Sequence, residues 1–277
     1  MTYARAGDGV RLHYEAFGRR NLPAVLMIQG LGADKHGWDM QRFALARNYR
    51  VIAFDNRGAG RSDKPFGPYS IEQMADDAVS VLDHAGVESA HVVGASMGGA
   101  ISQVMCLRHP TRVLSLTLAC TACRNQPWRR ELLERWMQTA QERGMGAMTS
   151  EAARWVMAPR SFRRLAPTFG WLGPFAMGRP AHSFVAQIRA ILAASDELAE
   201  QLHNVHVPTL VIVGNQDILT PRGDSEEIAD RIPGAELVVI SGAAHGFMVE
   251  HASTFNKIVT EFLHSVSRAQ PAATAAG

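Results

Sequence analysis

The stretch His91-Val92-Val93-Gly94-Ala95-Ser96-Met97-Gly98-Gly99-Ala100-Ile101 decides the fold. Its apolar, β-branched start predicts a buried strand, and the residues after it predict a helix that ends before Pro110. Between the two lies Gly-x-Ser-x-Gly, a sharp strand-to-helix turn that needs small residues and lifts a serine hydroxyl above the sheet edge. We therefore expect Ser96 to be a nucleophile at the end of a central strand.

A serine at such a turn needs a general base, and the base needs an acid that orients it. The chain supplies both in the order that this turn type uses, which is serine, acid, histidine. Asp217 and His245 each follow a predicted strand directly. Because the carboxyl ends of parallel strands lie at one sheet edge, Ser96, Asp217 and His245 are predicted to form a catalytic triad. Asp224 is the next candidate for the acid.

An oxyanion hole needs two backbone N–H groups aimed at the developing negative charge. Met97 follows the nucleophile at a helix N-terminus, where the helix dipole also favours an anion. The second amide is predicted to come from the loop Gln29-Gly30-Leu31-Gly32, in which two glycines let the backbone turn inward. We assign it to Leu31.

Strand and helix patterns alternate along the chain, which favours a parallel sheet covered by helices. The predicted strands are Ala24–Ile28, Arg50–Phe54, His91–Ala95, Val113–Ala119, Thr209–Val213 and Glu236–Ile240. The first 18 residues predict an antiparallel hairpin that turns at Gly7-Asp8-Gly9. The predicted fold class is therefore α/β, with a mostly parallel, doubly wound sheet and a helical cap insertion.

The alternation breaks in the middle of the chain, where helical patterns and breakers replace strand signals. We divide the chain into a core of residues 1–123 and 201–267, a helical cap of residues 124–200, and a tail. The tail is predicted to follow Ser265, with residues 268–277 disordered, because its composition is of low complexity.

The predicted cap is rich in large apolar side chains. It holds four of the five tryptophans and several methionines: Trp128, Trp136, Trp155, Trp171, Met137, Met145, Met148, Met157 and Met177. Some of these side chains form the core of the cap, and others are expected to line an apolar, adaptable pocket. We select Trp128, Trp136, Trp155 and, from the loop after His245, Phe247 as pocket residues.

Composition excludes several functional classes. The 277 residues carry a formal net charge of +2 that is too dispersed for a nucleic-acid groove. No apolar run approaches the roughly 20 residues of a membrane span, and the N-terminus has no apolar stretch of signal-peptide length. Three cysteines do not make a fully paired disulfide framework, so we expect a cytoplasmic location.

Three short motifs suggest other chemistry but lack its further requirements. Cys120-x-x-Cys123 has no following helix signal for a redox site, and His203-x-x-His206 has no further ligands spaced to hold zinc. Asp55-x-Arg57-Gly58-x-Gly60 lacks the Lys-Ser/Thr that follows in a phosphate loop. We expect no metal site and no phosphate site.

Several segments, in order from Ala24 to Leu263, carry a resemblance to a known superfamily. They are Gln29-Gly30 with Trp38, Phe54-Asp55-Asn56-Arg57-Gly58-Ala59-Gly60-Arg61-Ser62-Asp63, Gly94-x-Ser96-x-Gly98-Gly99, Gly214-x-x-Asp217, and His245 with Glu250. Together they resemble the α/β-hydrolase superfamily. The chain looks most like its enol-lactone hydrolases of the 3-oxoadipate type, small carboxylesterases and haloperoxidase-like perhydrolases. The resemblance implies a Ser–His–Asp triad that works without a metal or an organic cofactor.

The chain departs from the pattern of that superfamily at two positions. Gln29 stands where many members have histidine, but the oxyanion hole uses backbone there, so we expect it to survive. Ala252 stands where many members have proline, which concerns only the start of the last helix.

The predicted function is hydrolysis of a carboxylic ester or lactone of a small, largely apolar substrate through an acyl-serine. Carbon–carbon bond hydrolysis and perhydrolysis use the same triad and stay open as alternatives. The third hypothesis is a non-catalytic protein of the same fold that binds a small molecule. No nucleic-acid or membrane partner is expected, and the oligomeric state is left open.

Overall fold

Eight strands form one sheet in a computed structural model of the chain, which describes residues 1–161, 180–194 and 196–269. The strands are β1 (Thr2–Arg5), β2 (Arg11–Phe17), β3 (Ala24–Ile28), β4 (Arg50–Phe54), β5 (Ala90–Ala95), β6 (Val113–Ala119), β7 (Thr209–Gly214) and β8 (Glu236–Ile240). Their order across the sheet is β1-β2-β4-β3-β5-β6-β7-β8. The first three strands in this order pair antiparallel, and all later neighbours pair in parallel. The predicted fold class is confirmed.

Helices cover both faces of the sheet. They are α1 (Asp39–Leu45), α2 (Ile71–His84), α3 (Met97–Arg108), α4 (Pro127–Glu142), α5 (Gly144–Val156), α6 (Ala181–Ala193), α7 (Glu197–Gln201), α8 (Arg222–Arg231), α9 (Phe247–Glu250) and α10 (Ala252–Ala269). Alternate residues of β3 enter different clusters, since successive side chains of a strand point to opposite faces. Leu26 and Ile28 pack on the face covered by α2 and α3, and Val25 and Met27 on the face covered by α1 and α10. Two covered faces explain why every residue of β3 is buried.

The N-terminal hairpin turns where the sequence predicts. Gly9 has φ +89° and its N–H donates to the carbonyl oxygen of Ala6 at 2.8 Å. A positive φ of this kind is accessible to glycine without steric cost.

Helices α4 to α7 connect β6 to β7, within or next to the residues predicted to form the cap. The first three pack on one another through a cluster that also takes in Leu219 of the loop after β7: Leu132, Leu133, Trp136, Ala140, Met145, Met148, Ala152, Phe184 and Ile188. Residues 162–179 and 195 of the predicted cap lie outside the described residues. Within the described ranges, no helix has the length and apolar character that crossing a bilayer requires.

The C-terminal helix extends into the segment predicted to be the tail. Helix α10 continues to Ala269, past Ser265, because Val266 extends its apolar stripe and is buried against the sheet-side core. The predicted tail residues 270–277 lie outside the described residues.

Candidate active site

Ser96 occupies a strained position between β5 and α3. Its φ is +54° and its ψ is −121°, a conformation that non-glycine residues rarely adopt. Ser96 N–H donates to Ala119 O at 2.9 Å. Ser96 O accepts from Thr121 Oγ1 and Gly99 N–H at 2.8 Å and from Ala100 N–H at 3.2 Å. Backbone strain of this size persists only where the surroundings over-determine it, and it clusters at functional sites.

The glycines around Ser96 are required by close backbone approach. A Cβ on Gly98 would collide with the carbonyl oxygen of Ile28, and one on Gly94 would collide with Ser102 Oγ and the Gly98 backbone. A Cβ on Gly99 would meet the Thr121 side chain at 2.5 Å. The turn therefore brings α3 against the end of β3 at a distance that only glycine permits.

Asp217 and His245 form a buried hydrogen-bonded pair. The loop after β7 carries Asp217 and the loop after β8 carries His245, whose Nδ1 lies 2.9 Å from Asp217 Oδ2. Thr220 Oγ1 donates to the same carboxylate oxygen at 2.8 Å and lies 3.1 Å from His245 Nδ1. The backbone N–H groups of Leu219 and Thr220 both donate to Asp217 Oδ1 at 2.9 Å. The carboxylate thus has four hydrogen-bond partners.

These contacts keep the carboxylate of Asp217 ionised. Burial by itself raises the pKa of an acid because it penalises the charged form. At Asp217 the charge and hydrogen bond of His245, together with the bonds from Thr220, outweigh burial and lower the pKa below its ordinary value of 3.8. An ionised acid next to Nδ1 of an imidazole stabilises the N–H tautomer on that side and leaves Nε2 free to take a proton.

Ser96 and His245 meet at one cavity of about 610 Å³. The cavity lies between the carboxyl edge of the sheet and the helices that join β6 to β7, and Leu133, Val156 and Ile191 are among its apolar walls. No hydrogen bond joins Ser96 to His245 among the residues that the structure describes. Bonds between a nucleophile and its base often tighten only when substrate is bound.

Two backbone amides beside Ser96 have no partner in the described part of the chain. They are those of Leu31 and Met97, and both residues line the cavity. The neighbouring amides are occupied, since Gly30 N–H donates to Gln29 Oε1 and Gly32 N–H donates to Gln187 Oε1, each at 2.9 Å. The two expected oxyanion donors are therefore free, and the Gln29 side chain bonds within its own loop.

Comparison with known proteins identifies the family of this fold. A family model described as the alpha/beta hydrolase fold matches residues 23–252. The chain belongs to the α/β-hydrolase family.

Several relatives of this α/β hydrolase match it over nearly their full length. A protein of Azorhizobium caulinodans that bears the name of a carbamate hydrolase, RutD, is 32% identical over 97% of this chain and 100% of its own. The 3-oxoadipate enol-lactonase 2 of Acinetobacter baylyi is 30% identical over 90% of this chain and 92% of its own. The crystal structure of the enol-lactonase from Burkholderia xenovorans LB400 is also 30% identical, with a TM-score of 0.88 over 95% of this chain and all of that one.

Of the four predicted pocket residues, this α/β hydrolase places only Trp136 in the cavity wall. Trp128 is 38% exposed and stacks on Trp155 with ring centroids 6.2 Å apart, away from the cavity. Arg129 and Trp136, which lie seven residues apart on α4, share the cavity face, and Trp128 is turned about 100° from it. Phe247 is fully buried in the core, 5.7 Å from the ring of Phe255.

The methionines of the cap also lie mainly outside the wall. Met145 and Met148 belong to the cluster formed by α4 to α6, and the methionines of the described residues that line the cavity are Met97 and Met248. Helical spacing predicts that a residue is buried but not which of two neighbouring compartments it faces. Trp171 and Met177 lie outside the described residues.

The cysteines and Asp55, which belong to the other motifs in the sequence, lie in surroundings that suit a structural role. The three cysteines are buried and unpaired, and burial raises the pKa of each thiol. Asp55 is buried and accepts the backbone N–H groups of Lys35 and Arg61 at 2.8 and 2.9 Å, so its carboxylate orders the loops around it. Among the described residues, no group of three or more potential ligands is placed to hold a metal ion.

Sequence reasoning missed three polar residues that support the site. Thr220 hydrogen-bonds the Asp217 carboxylate, Thr121 bonds the Ser96 backbone, and Gln187 of α6 bonds the loop of Leu31. Only Thr220 had a local signal, because it lies three residues after an Asp, whose side chain commonly bonds the backbone of the residues that follow it in a turn. The other two are distant in sequence from the residues they contact.

Proposed function

We propose that this chain is a serine hydrolase that cleaves a carboxylic ester or lactone through an acyl-serine intermediate. The observation that carries the proposal is the Asp217–His245 pair, which opens onto the same cavity as Ser96. The strained turn at Ser96 and the two free amides beside it are the further features that such chemistry needs.

In the proposed mechanism, His245 Nε2 takes the proton of Ser96 Oγ as that oxygen attacks the substrate carbonyl carbon. Asp217 orients the imidazole and stabilises its cation. The amides of Leu31 and Met97 donate to the negatively charged oxygen of the tetrahedral intermediate. The intermediate collapses when His245 returns the proton to the leaving alkoxide. A water molecule, deprotonated by the same imidazole, then releases the acid and restores Ser96.

The cavity supports a small, largely apolar substrate. Its walls include the apolar side chains of Leu133, Trp136, Val156 and Ile191. Relatives named as enol-lactonases favour a lactone, and the relative that bears the name of a carbamate hydrolase adds the carbamate bond, whose carbonyl the same steps would attack. Three unpaired, buried cysteines suit the reducing cytoplasm that we propose as its location.

Labelling with a fluorophosphonate tests the nucleophile directly. The wild type should be labelled at Ser96, and Ser96→Ala should be unlabelled, with its turnover lowered by about 10⁶. Ser102→Ala is the matched control, because Ser102 is buried below the turn and donates to Gly98 O, not to the cavity. A folded wild type that takes no label would refute the serine hydrolase proposal.

A substrate panel then identifies the bond. It contains aryl esters, aliphatic esters, lactones, a carbamate and a β-diketone, each assayed with the wild type and with Ser96→Ala. We expect the highest kcat/KM on an ester or lactone. Preference for the β-diketone would favour the carbon–carbon hydrolase alternative, and binding without turnover of any member would favour a non-catalytic receptor.

A further inference from the structure

Arg129 of helix α4 is a buried cation whose nitrogens all have partners. It is 4% exposed; its Nε donates to Leu219 O at 3.0 Å and its Nη1 donates to Arg124 O at 3.0 Å. Its Nη2 forms an ion pair with the buried carboxylate of Asp224. A guanidinium with these bonds has its charge neutralised, so it is not free to bind an anionic substrate although it lines the cavity.

The hydrogen bond from Arg129 to Leu219 O involves the same peptide group that donates a hydrogen bond to the carboxylate of Asp217. Leu219 C=O and Thr220 N–H belong to one peptide unit, which is planar. The oxygen of that unit accepts from Arg129, and its N–H donates to Asp217 Oδ1 at 2.9 Å. The orientation of the plane that supports the carboxylate is therefore set in part by a side chain of the cap.

The loop of the base is tied to the cap in a similar way. Gly246, which follows His245, donates its N–H to the carbonyl oxygen of Val156 at the end of α5 at 2.7 Å. The N–H of Ala158 lies 3.2 Å from a carboxylate oxygen of Glu250 on α9. Two helices of the cap thus contact the two loops that carry Asp217 and His245.

We infer that Arg129 is a positioning residue that keeps the Asp217 loop in the correct position relative to His245. The predicted cap would then support the acid–base pair as well as cover the cavity. The inference rests on the proposed function. Its structural basis is the bond from Arg129 to Leu219 O, and the ion pair with Asp224 serves to keep the guanidinium in place. Loss of Arg129 should therefore lower kcat more than it changes KM.

The test compares Arg129→Met and Arg129→Lys with Arg130→Met on an ester or lactone that the wild type hydrolyses. Arg130 is the matched control, because it lies on the same helix and bonds Asn125 O, Leu192 O and Asp196, away from the acid loop. We expect kcat to fall about 10- to 100-fold in Arg129→Met, by less in Arg129→Lys, and little in Arg130→Met.

A double variant separates positioning from stability. Arg129→Met leaves Asp224 as an unpaired buried carboxylate, which destabilises the fold by itself. Arg129→Met/Asp224→Asn removes that charge, so its Tm should recover while its kcat stays low. Asp224→Asn alone should keep most of the wild-type kcat, because the amide oxygen of asparagine can still accept from Arg129 Nη2 and hold the guanidinium in place. Recovery of kcat together with Tm in the double variant would overturn the inference.

A spectroscopic readout tests the same point without substrate. The proton that His245 Nδ1 shares with Asp217 should give a downfield NMR resonance, assigned by its loss in His245→Gln. It should weaken in Arg129→Met and persist in Arg130→Met. If the wild type is neither labelled by fluorophosphonate nor active, the proposed function fails. If the wild type is labelled and active, and Arg129→Met keeps both its kcat and this resonance, the inference alone fails.

Discussion

Asp217→Asn should abolish most of the activity while leaving the fold intact, because the new amide can satisfy the same partners. Asp217 Oδ1 accepts two backbone N–H groups at 2.9 Å, a role that only the oxygen of asparagine can fill. The amide nitrogen then replaces Oδ2, where it faces Thr220 Oγ1 and His245 Nδ1 and must donate to both. An imidazole that accepts at Nδ1 carries its proton on Nε2 and has no lone pair there for the proton of Ser96.

The expected loss in kcat is about 10⁴, the size that this tautomer change produces in a serine–histidine–aspartate site. The free energy of unfolding should fall by only about 1–2 kcal/mol at pH 7, since each hydrogen-bond partner is kept but the bonds to a charged acceptor become neutral. A carboxyl whose folded-state pKa is lowered stabilises the fold above its unfolded pKa, near 3.8. The stability difference between wild type and variant should therefore shrink as the pH falls below about 4.

The assay measures kcat on an ester or lactone substrate at pH 7 and urea unfolding at pH 7 and at pH 3. Asp224→Asn is the control, because Asp224 is the other acid near this loop and pairs with Arg129 instead of His245. A folded Asp217→Asn variant with kcat within tenfold of the wild type would refute the role of Asp217. A loss of kcat that accompanies a loss of several kcal/mol in stability would refute the tautomer argument.

Three further outcomes are expected. Gly98→Ala should lower the free energy of unfolding by about 1–3 kcal/mol and abolish fluorophosphonate labelling, because the new Cβ collides with a backbone oxygen of β3. In the control Gly223→Ala the new Cβ meets no atom within 4 Å, so neither stability nor labelling should change. Thr220→Val should lower kcat about tenfold, because the hydroxyl bond to the Asp217 carboxylate is lost while three others remain; an unchanged kcat would argue against this support. Burial raises the pKa of Asp224 to about 6. The charges of Asp217 and Glu227 also raise this pKa, and Arg129 lowers it. The stabilising contribution of Asp224 is full below about pH 3.8 and is lost as the pH rises through 6. In urea unfolding, wild type should therefore lose roughly 2 kcal/mol relative to Asp224→Asn between pH 4 and 7.

The local pattern around Ser96 was sufficient to predict the strand-to-helix turn and the strand and helix on either side of it. Small residues between an apolar strand and a helix have few other uses, and close packing at Gly98 explains the requirement. The placement of Asp217 and His245 after strands also predicted their shared edge, because parallel strands bring their carboxyl ends together. Their hydrogen bond is a consequence of that topology, joining loops 28 residues apart.

The residues that line the cavity, and the distant residues that support the site, could not be predicted from the sequence. The periodicity of α4 predicts that both Trp136 and its neighbours are buried, but only the packing of the cap decides that Trp136 lines the cavity and Trp128 stacks outside it. The same holds for Arg129, 90 residues from the carbonyl it contacts. Chemistry confined to one turn or to consecutive strand ends can be predicted from sequence, because local geometry and sheet topology determine it. Contacts between helices α4 to α6 and the loops after the strands join residues far apart in the chain, and only the tertiary structure decides them.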